Sequence, residues 1–171
     1  MESATIYPER VEKVEDRWLN SQLNRLITEV TELMKNFQFG EAVQQIYDFI
    51  WSKFCDWYIE IAKIRLRNPH PTLSIDGEGL GKVSPLPFLV NTSEKSLRLL
   101  HPFMPFVTEE LWQSLNRHCE RSEAISPRNE SMGVPDSIVI APYPVADNKA
   151  IDLEAERVMD CVMEIIRSIR N

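Results

Sequence analysis

The stretch from Leu99 to Trp112, LLHPFMPFVTEELW, decides the fold. Pro102 ends an apolar helix, because proline lacks a backbone N–H and clashes with the carbonyl one turn earlier. Pro105 suits the first turn of a new helix, where that N–H would have no helical partner in any case. The stretch therefore predicts two helices joined at a sharp turn. The apolar face of the second helix is predicted to comprise Phe106, Leu111 and Leu115.

A second helical stretch lies upstream, from Ile46 to Lys63 (IYDFIWSKFCDWYIEIAK). Its apolar pattern continues in both directions, so we predict one helix from Glu41 to Arg67. Two neighbouring apolar stripes indicate contact with at least two other helices, as for the central helix of a bundle. One stripe comprises Val43, Ile46, Ile50, Phe54, Trp57, Ile61 and Ile64, and the other comprises Tyr47, Trp51, Cys55, Tyr58 and Ala62.

The first helix is predicted from Glu15 to Phe37, where apolar residues recur at alternating spacings of four and three. Gln38, Phe39 and Gly40 then form a break, which is so short that the first two helices are expected to lie antiparallel. The apolar positions are Leu19, Leu23, Leu26, Val30, Leu33 and Phe37.

Two segments lack helical periodicity, and we predict both to be inserted or mobile loops. Residues 68–88 are rich in proline and glycine, and residues 116–136 are rich in serine, arginine and glutamate. Helix signals return at Asn91, where Glu94 three residues later suggests a capping box.

The remaining elements complete the predicted fold. Ile138 to Ala141 is predicted to be a short β-like run, and a last helix is predicted from Lys149 to Arg170. The fold class is therefore all-α, an antiparallel helical bundle of four to five helices forming a single domain over residues 1–171. The inward face of the last helix is predicted to be Val158, Val162, Ile165 and Ile169.

Composition restricts the functional classes. Apolar residues make up 43% and charged residues 26%, as in soluble globular proteins, and we expect neither a membrane span nor a secretory signal. Cys55, Cys119 and Cys161 are widely spaced, which argues against a zinc site or a disulfide framework and fits a reducing cytoplasm. The net charge of −7 disfavours an independent, tight nucleic-acid binder. It remains compatible with a module that adds a few local contacts inside a larger enzyme.

Six blocks of sequence, in this order, resemble the anticodon-binding domain of valyl-tRNA synthetases, and more loosely those of their isoleucyl and leucyl relatives. FCDWY and HPFMPF followed by TEELW are the most specific strings. The blocks are DRWLNSQLN (16–24), FQFGEA (37–42), DFIWSKFCDWYIEIAK (48–63), LRLLHPFMPFVTEELWQ (97–113), IVIAPYP (138–144) and IIRSIRN (165–171).

The resemblance implies a domain that recognises the anticodon stem-loop of tRNA(Val) as part of a longer, monomeric, cytoplasmic enzyme. That enzyme would ligate valine to tRNA with ATP. The chain itself holds neither a HIGH-like nor a KMSKS-like signature, the adenylate-handling motifs of the family. We therefore expect no catalytic residue, metal or cofactor in this segment, and the expected partners are the anticodon loop and the rest of the synthetase.

The candidate tRNA-binding residues lie on the central helix: Lys53, Trp57, Lys63, Arg65 and Arg67. An aromatic ring can stack on an unpaired base, and the cations can contact phosphates and base edges. The resemblance favours this hypothesis more than the pattern does. The structural alternatives are core packing for the tryptophan and a solvated helix end for the cations.

Two functional alternatives remain open. The same domain type occurs in isoleucyl and leucyl enzymes, and a helical protein-interaction module without RNA binding would also fit the apolar stripes. His101, at the predicted turn, is interpreted as a hydrogen-bonded structural residue, because a single histidine does not make a metal site.

Overall fold

Five helices, the second of them composite, and two short 3₁₀ turns make up the residues that the computed structural model describes, which are 13–67, 84–121 and 135–170. No strand occurs within those ranges, so the predicted all-α fold is confirmed. The central helix consists of α2 (Phe39–Phe49), a π-helical segment (Ile50–Ile59) and α3 (Glu60–Arg67) without a break. The others are α1 (Val14–Lys35), α4 (Leu86–Leu100), α5 (Pro105–Arg121) and α6 (Leu153–Arg170), with 3₁₀ turns at Ile138–Ile140 and Asn148–Ala150.

The first helix and the central helix lie antiparallel. Asp16, near the start of α1, is hydrogen-bonded to Tyr58 in the later half of the central helix. Gln22, farther along α1, accepts from Lys53, which comes earlier in the central helix. α4 and α6 both pack on α1. The core between them includes Trp18, Leu19, Leu23, Ile27, Val30, Ile46, Tyr58, Leu99, Ala155 and Met159.

The turn between α1 and α2 comes earlier than the sequence predicts. Phe37 adopts a left-handed conformation (φ 59°), and its N–H donates to the carbonyl of Met34 at 3.1 Å. The N–H of Gln38 donates to the carbonyl of Leu33 at 2.9 Å, which completes a Schellman motif. The predicted break at residues 38–40 is therefore corrected to 36–38, because Phe39 and Gly40 belong to α2. The residue in the left-handed conformation is thus Phe37, although glycine adopts this conformation without steric cost and Gly40 lies only three residues later.

The central helix changes its buried face within the π-helical segment. A step of five residues separates the buried Phe49 from the buried Phe54, whereas residues on one face of an α-helix lie three or four apart. A π turn accommodates the additional residue. Tyr47 and Trp51, predicted to lie in a buried stripe, are in fact 55% and 53% exposed. The buried residues are Ala42, Ile46 and Phe49 before the segment and Phe54, Tyr58 and Ala62 within and after it.

The fourth helix also begins earlier than predicted. It starts at Leu86, with Pro87 in the first turn, where proline leaves no helical hydrogen bond unmade. Asn91 lies inside this helix, so the predicted capping box is wrong. The loop boundaries are corrected accordingly: residues 86–88 of the first predicted loop and 116–121 of the second are helical. Most of the remainder of both loops lies outside the described residues.

The turn between α4 and α5 matches the prediction from its two prolines. α4 ends at Leu100 and α5 begins at Pro105. His101 Nδ1 lies 2.8 Å from Thr108 Oγ1 across this turn, consistent with the structural role expected for the histidine. The predicted apolar face of α5 is wrong, because Phe106 is 89% exposed. Within residues 105–117 of α5, the buried side chains are instead those of Thr108 and Trp112.

The segment Ile138–Ile140, predicted to be β-like, is a 3₁₀ turn held against α5. Glu109 Oε2 accepts hydrogen bonds from Ser137 Oγ at 2.9 Å and from the backbone N–H of Ile138 at 3.1 Å. Trp112 Nε1 donates to the carbonyl of Pro135 at 3.0 Å. The Glu109 carboxylate thus satisfies the backbone N–H of Ile138 and fixes the start of this turn on α5.

The last helix presents a different face to the core from the one predicted. It begins at Leu153, because Asp152 caps it by accepting from the N–H of Ala155 at 2.9 Å. Its buried residues are Ala155, Met159 and Met163. The predicted inward residues are 41–80% exposed and form a second apolar face that the described residues leave uncovered: Val158, Val162, Ile165 and Ile169.

Candidate nucleic-acid interface

Arg65 is a structural cation. Its guanidinium Nη1 lies 2.6 Å from Asp16 Oδ1 and 3.3 Å from Glu15 Oε1, and its side chain is only 10% exposed. Burial disfavours the charged guanidinium, but the hydrogen bond and charge of Asp16 outweigh burial and raise the pKa of Arg65. The same carboxylate accepts from Tyr58, whose pKa is raised by burial and by this hydrogen bond. Arg65 therefore anchors the end of the central helix to the start of α1.

Lys63 and Arg67 are both exposed, but their electrostatic surroundings differ. Lys63 Nζ is paired with Glu60 Oε1 at 2.6 Å, one turn earlier on the same helix. Arg67 forms no ion pair within the described part of the chain. Because Glu60 offsets the charge of Lys63, Arg67 is the cation at this helix end that is best suited to contact a phosphate.

Lys53 lies elsewhere, on the flank of the central helix that faces α1. Its ammonium donates to the side-chain oxygen of Gln22, and its positive charge helps to lower the pKa of Glu156. The groove beside it is mixed in charge, since Arg25 and Lys53 are balanced by Glu29 and Asp48. This groove does not form a concentrated cationic site.

Trp57 lies half-buried at the border of the core, beneath an arginine that the sequence analysis did not associate with it. The guanidinium carbon of Arg167, in the last turn of α6, is 5.7 Å from the centroid of the indole ring. This separation is within the range of a cation–π interaction. Arg167 and Trp57 lie far apart in the sequence, and only the packing of α6 brings them together.

Two arginines of the first helix serve a structural function. Arg17 Nη1 lies 3.2 Å from Asp152 Oδ2, and Arg25 Nε lies 2.7 Å from Glu156 Oε1. The hydrogen bond and charge of Glu156 raise the pKa of Arg25. These pairs hold α6 on α1, which leaves the α6 end near Trp57 as the better candidate for contact with an anionic ligand.

Exposed aromatic side chains form two further pairs that periodicity did not reveal. The ring centroids of Tyr47 and Trp51 are 6.0 Å apart on the outer side of the central helix. Those of Phe37 and Phe39 are 6.1 Å apart at the turn. The aromatic residues of both pairs are visible in the sequence. The α-helical period, however, predicted that Tyr47 and Trp51 lie in the core, so their exposed pair was missed.

The predicted site residues thus occupy four separate places. Arg65 lies in a buried ion pair, and Lys63 and Arg67 lie at the exposed helix end. Lys53 lies on the flank that meets α1, and Trp57 lies on the flank that meets α6. Among the residues described, no cluster of three or more histidine, cysteine or acidic side chains has the arrangement needed to hold a metal. Nor does any described helix combine the length and hydropathy needed to cross a membrane.

Comparisons with known proteins agree on one family. The model of the family described as the anticodon-binding domain of tRNA ligase matches residues 16–171. A valine–tRNA ligase from Dehalococcoides mccartyi (strain CBDB1) is 46% identical over 170 residues, which cover 99% of this chain and 17% of the relative. Those of Symbiobacterium thermophilum and Enterococcus faecalis are 40% and 42% identical over 92% of this chain, covering 17% and 15% of the relatives. The chain therefore spans about one sixth of the length of these relatives.

Proposed function

The chain belongs to the family of anticodon-binding domains of tRNA ligases, and from this premise we propose that it recognises the anticodon stem-loop of tRNA(Val). The observation that carries the proposal is the match of nearly the whole chain to one part of three valine–tRNA ligases. We assign the chain to a longer, monomeric, cytoplasmic enzyme that joins valine to tRNA with ATP. This segment would contribute RNA contacts, and we expect it alone to show no valine-dependent pyrophosphate exchange.

The physical basis for RNA recognition is a half-buried aromatic ring together with exposed cationic side chains. Bases of a single-stranded loop are unstacked and can be read by stacking and by hydrogen bonds to their edges. Trp57 with Arg167 offers a stacking surface, and Arg67 offers a positive charge. Because the chain carries a net charge of −7, we expect the affinity of this segment to be weak and local. The rest of the enzyme would raise it by increasing the effective concentration.

A titration with two RNAs tests the proposal. One RNA is the anticodon stem-loop of a valine tRNA, and the other differs only in its anticodon bases. We expect tighter, salt-sensitive binding of the valine stem-loop, because both base contacts and phosphate contacts contribute. Equal affinity for the two RNAs would contradict anticodon recognition. Absence of binding at high protein concentration and low salt would instead favour a protein-interaction module, for which the exposed face of α6 is the relevant observation.

A further inference from the structure

Two arginine–tryptophan pairs lie within the described residues, and a comparison between them identifies the one available to a ligand. In the first pair, Arg98 lies 5.5 Å from the ring centroid of Trp112, which is fully buried. Arg98 also bonds to Glu94 and to the carbonyl of Pro142, and its side chain is 18% exposed. Two of its three guanidinium nitrogens thus bond within the protein, and Nε is buried, so this pair is structural.

The second pair differs in each of these respects. Arg167 is exposed, and within the described residues its side chain forms no ion pair or hydrogen bond. Its guanidinium carbon lies 5.7 Å from the centroid of the Trp57 ring, which packs against the core. A guanidinium is planar and positively charged, and the N–H donors of this exposed one have no partner among the described residues.

We propose that Arg167 stacks on an unpaired RNA base, with Trp57 as the positioning residue beneath it. The ligand is a single-stranded nucleotide whose base lies on the guanidinium while a neighbouring phosphate is within reach of its N–H donors. Arginine planes are established stacking partners for splayed-out RNA bases, and the charge adds a phosphate interaction. This inference rests on the proposed function and assigns one contact surface within it, on α6 as well as on the central helix.

The planarity of the guanidinium, as distinct from its charge, provides the test. Binding of the valine anticodon stem-loop is measured at several salt concentrations for the unaltered chain, Arg167→Ala and Arg167→Lys. We expect Arg167→Ala to weaken binding at least about fivefold, the lower end for a stacked base, and to reduce the salt slope by roughly 0.7. Arg167→Lys should keep the salt slope and still lose most of that affinity, because an ammonium is a point charge without a stacking plane.

Arg157→Ala is the matched control. Arg157 is an exposed arginine on the same helix, 10 residues earlier and therefore about 15 Å away along the axis. We expect it to leave the affinity nearly unchanged. Trp57→Phe retains an aromatic ring and should retain most of the binding, provided that thermal melting shows an intact fold.

Each contrary result has a distinct meaning. Unchanged affinity in Arg167→Ala, while the unaltered chain binds, would overturn this inference and leave the proposed function standing. Full binding by Arg167→Lys would show that only charge is used, which would overturn the stacking. An equal loss in Arg157→Ala would reduce the effect to general electrostatics. A lower melting temperature with unchanged affinity would make the pair purely structural. Absence of RNA binding by the unaltered chain would overturn the proposed function and this inference together.

Discussion

The hydroxyl of Tyr58 donates a 2.6 Å hydrogen bond to Oδ1 of Asp16, and both side chains are fully buried. The bond joins the central helix to the first turn of α1. Arg65 Nη1 lies 2.6 Å from the same oxygen of Asp16. Of the two carboxylate oxygens, Oδ2 has no partner in the described residues, so Oδ1 carries the hydrogen bonding. The FCDWY string thus supplies a buried polar contact that determines how the first two helices align.

Removal of this hydroxyl should destabilise the fold. Tyr58→Phe keeps the ring and deprives a buried carboxylate of a donor, which costs about 1.5–3 kcal/mol for a hydrogen bond to a charged group. Chemical denaturation would measure the loss. Tyr47→Phe is the control, because Tyr47 is 55% exposed on the same helix, and it should change stability by less than about 0.5 kcal/mol. Equal effects in the two variants would contradict a buried role for Tyr58.

The turn between α1 and α2 offers two stabilising substitutions. Phe37 holds a positive φ that glycine adopts without steric cost, so Phe37→Gly should raise the free energy of unfolding by about 1 kcal/mol. Gly40 lies in a helix, and an added Cβ there meets nothing within 4 Å, so Gly40→Ala should raise it by about 0.5–1 kcal/mol. Phe37→Ala controls for loss of the ring, since it retains the positive φ. A Phe37→Gly variant no more stable than Phe37→Ala would show that the turn carries no strain.

The two apolar faces of α6 should respond differently to truncation. Met159 is 4% exposed and Val162 is 41% exposed. Met159→Ala should therefore cost about 2–5 kcal/mol, while Val162→Ala should stay within about 1 kcal/mol. Denaturation of both variants side by side would measure the difference. A larger loss of stability in Val162→Ala than in Met159→Ala would contradict this assignment and support the inward face that the sequence predicted.

The existence of the helices followed from local rules, whereas the identity of their buried faces did not. The Pro102 and Pro105 signals located the α4–α5 junction correctly, because proline acts through its own backbone geometry. The face of the central helix was wrong at Tyr47 and Trp51, because a π-helical step is not visible in a pattern of 3.6 residues. On α6 two apolar stripes compete, and periodicity does not say which of them a neighbour covers.

The candidate site was predictable only in part, for a related reason. Candidate cations on one helix were easy to list, but their availability depends on partners distant in the sequence. Asp16 occupies Arg65, and Glu60 partly neutralises Lys63. Arg167 reaches Trp57 only through the packing of α6. No local pattern encodes such a contact. Composition and spacing therefore indicated the central helix and its aromatic and cationic side chains, but not which of these side chains are free to contact a ligand.

Glu156 should make stability depend on acidic pH. Burial opposes its charge, but hydrogen bonds from Arg25 and Ser21 and the nearby cations outweigh burial and lower the pKa of Glu156 below its ordinary 4.5. A carboxylate with a lowered folded-state pKa contributes stability above the unfolded value, and this stability is lost as the pH falls through the folded value. The difference in stability between the unaltered chain and Glu156→Gln should therefore be largest near pH 7 and shrink below about pH 4.5. Glu154→Gln, at an exposed position on the same helix, is the control and should change stability at pH 7 by less than about 0.5 kcal/mol.

The exposed end of the central helix should contribute charge to RNA binding through Arg67 more than through Lys63. Arg67→Ala should weaken binding of the valine anticodon stem-loop and reduce the slope of log affinity against log salt by roughly 0.7–0.9. Lys63→Ala should have a smaller effect, because Glu60 lies 2.6 Å from its ammonium. Glu60→Gln should act in the opposite direction and strengthen binding, since it releases Lys63 from its partner. Filter-binding titrations at several salt concentrations, with thermal melting of each variant, would measure these effects. Unchanged affinity in a folded Lys63/Arg67 double alanine variant would exclude this helix end from the interface and leave the α6 end as the place to search.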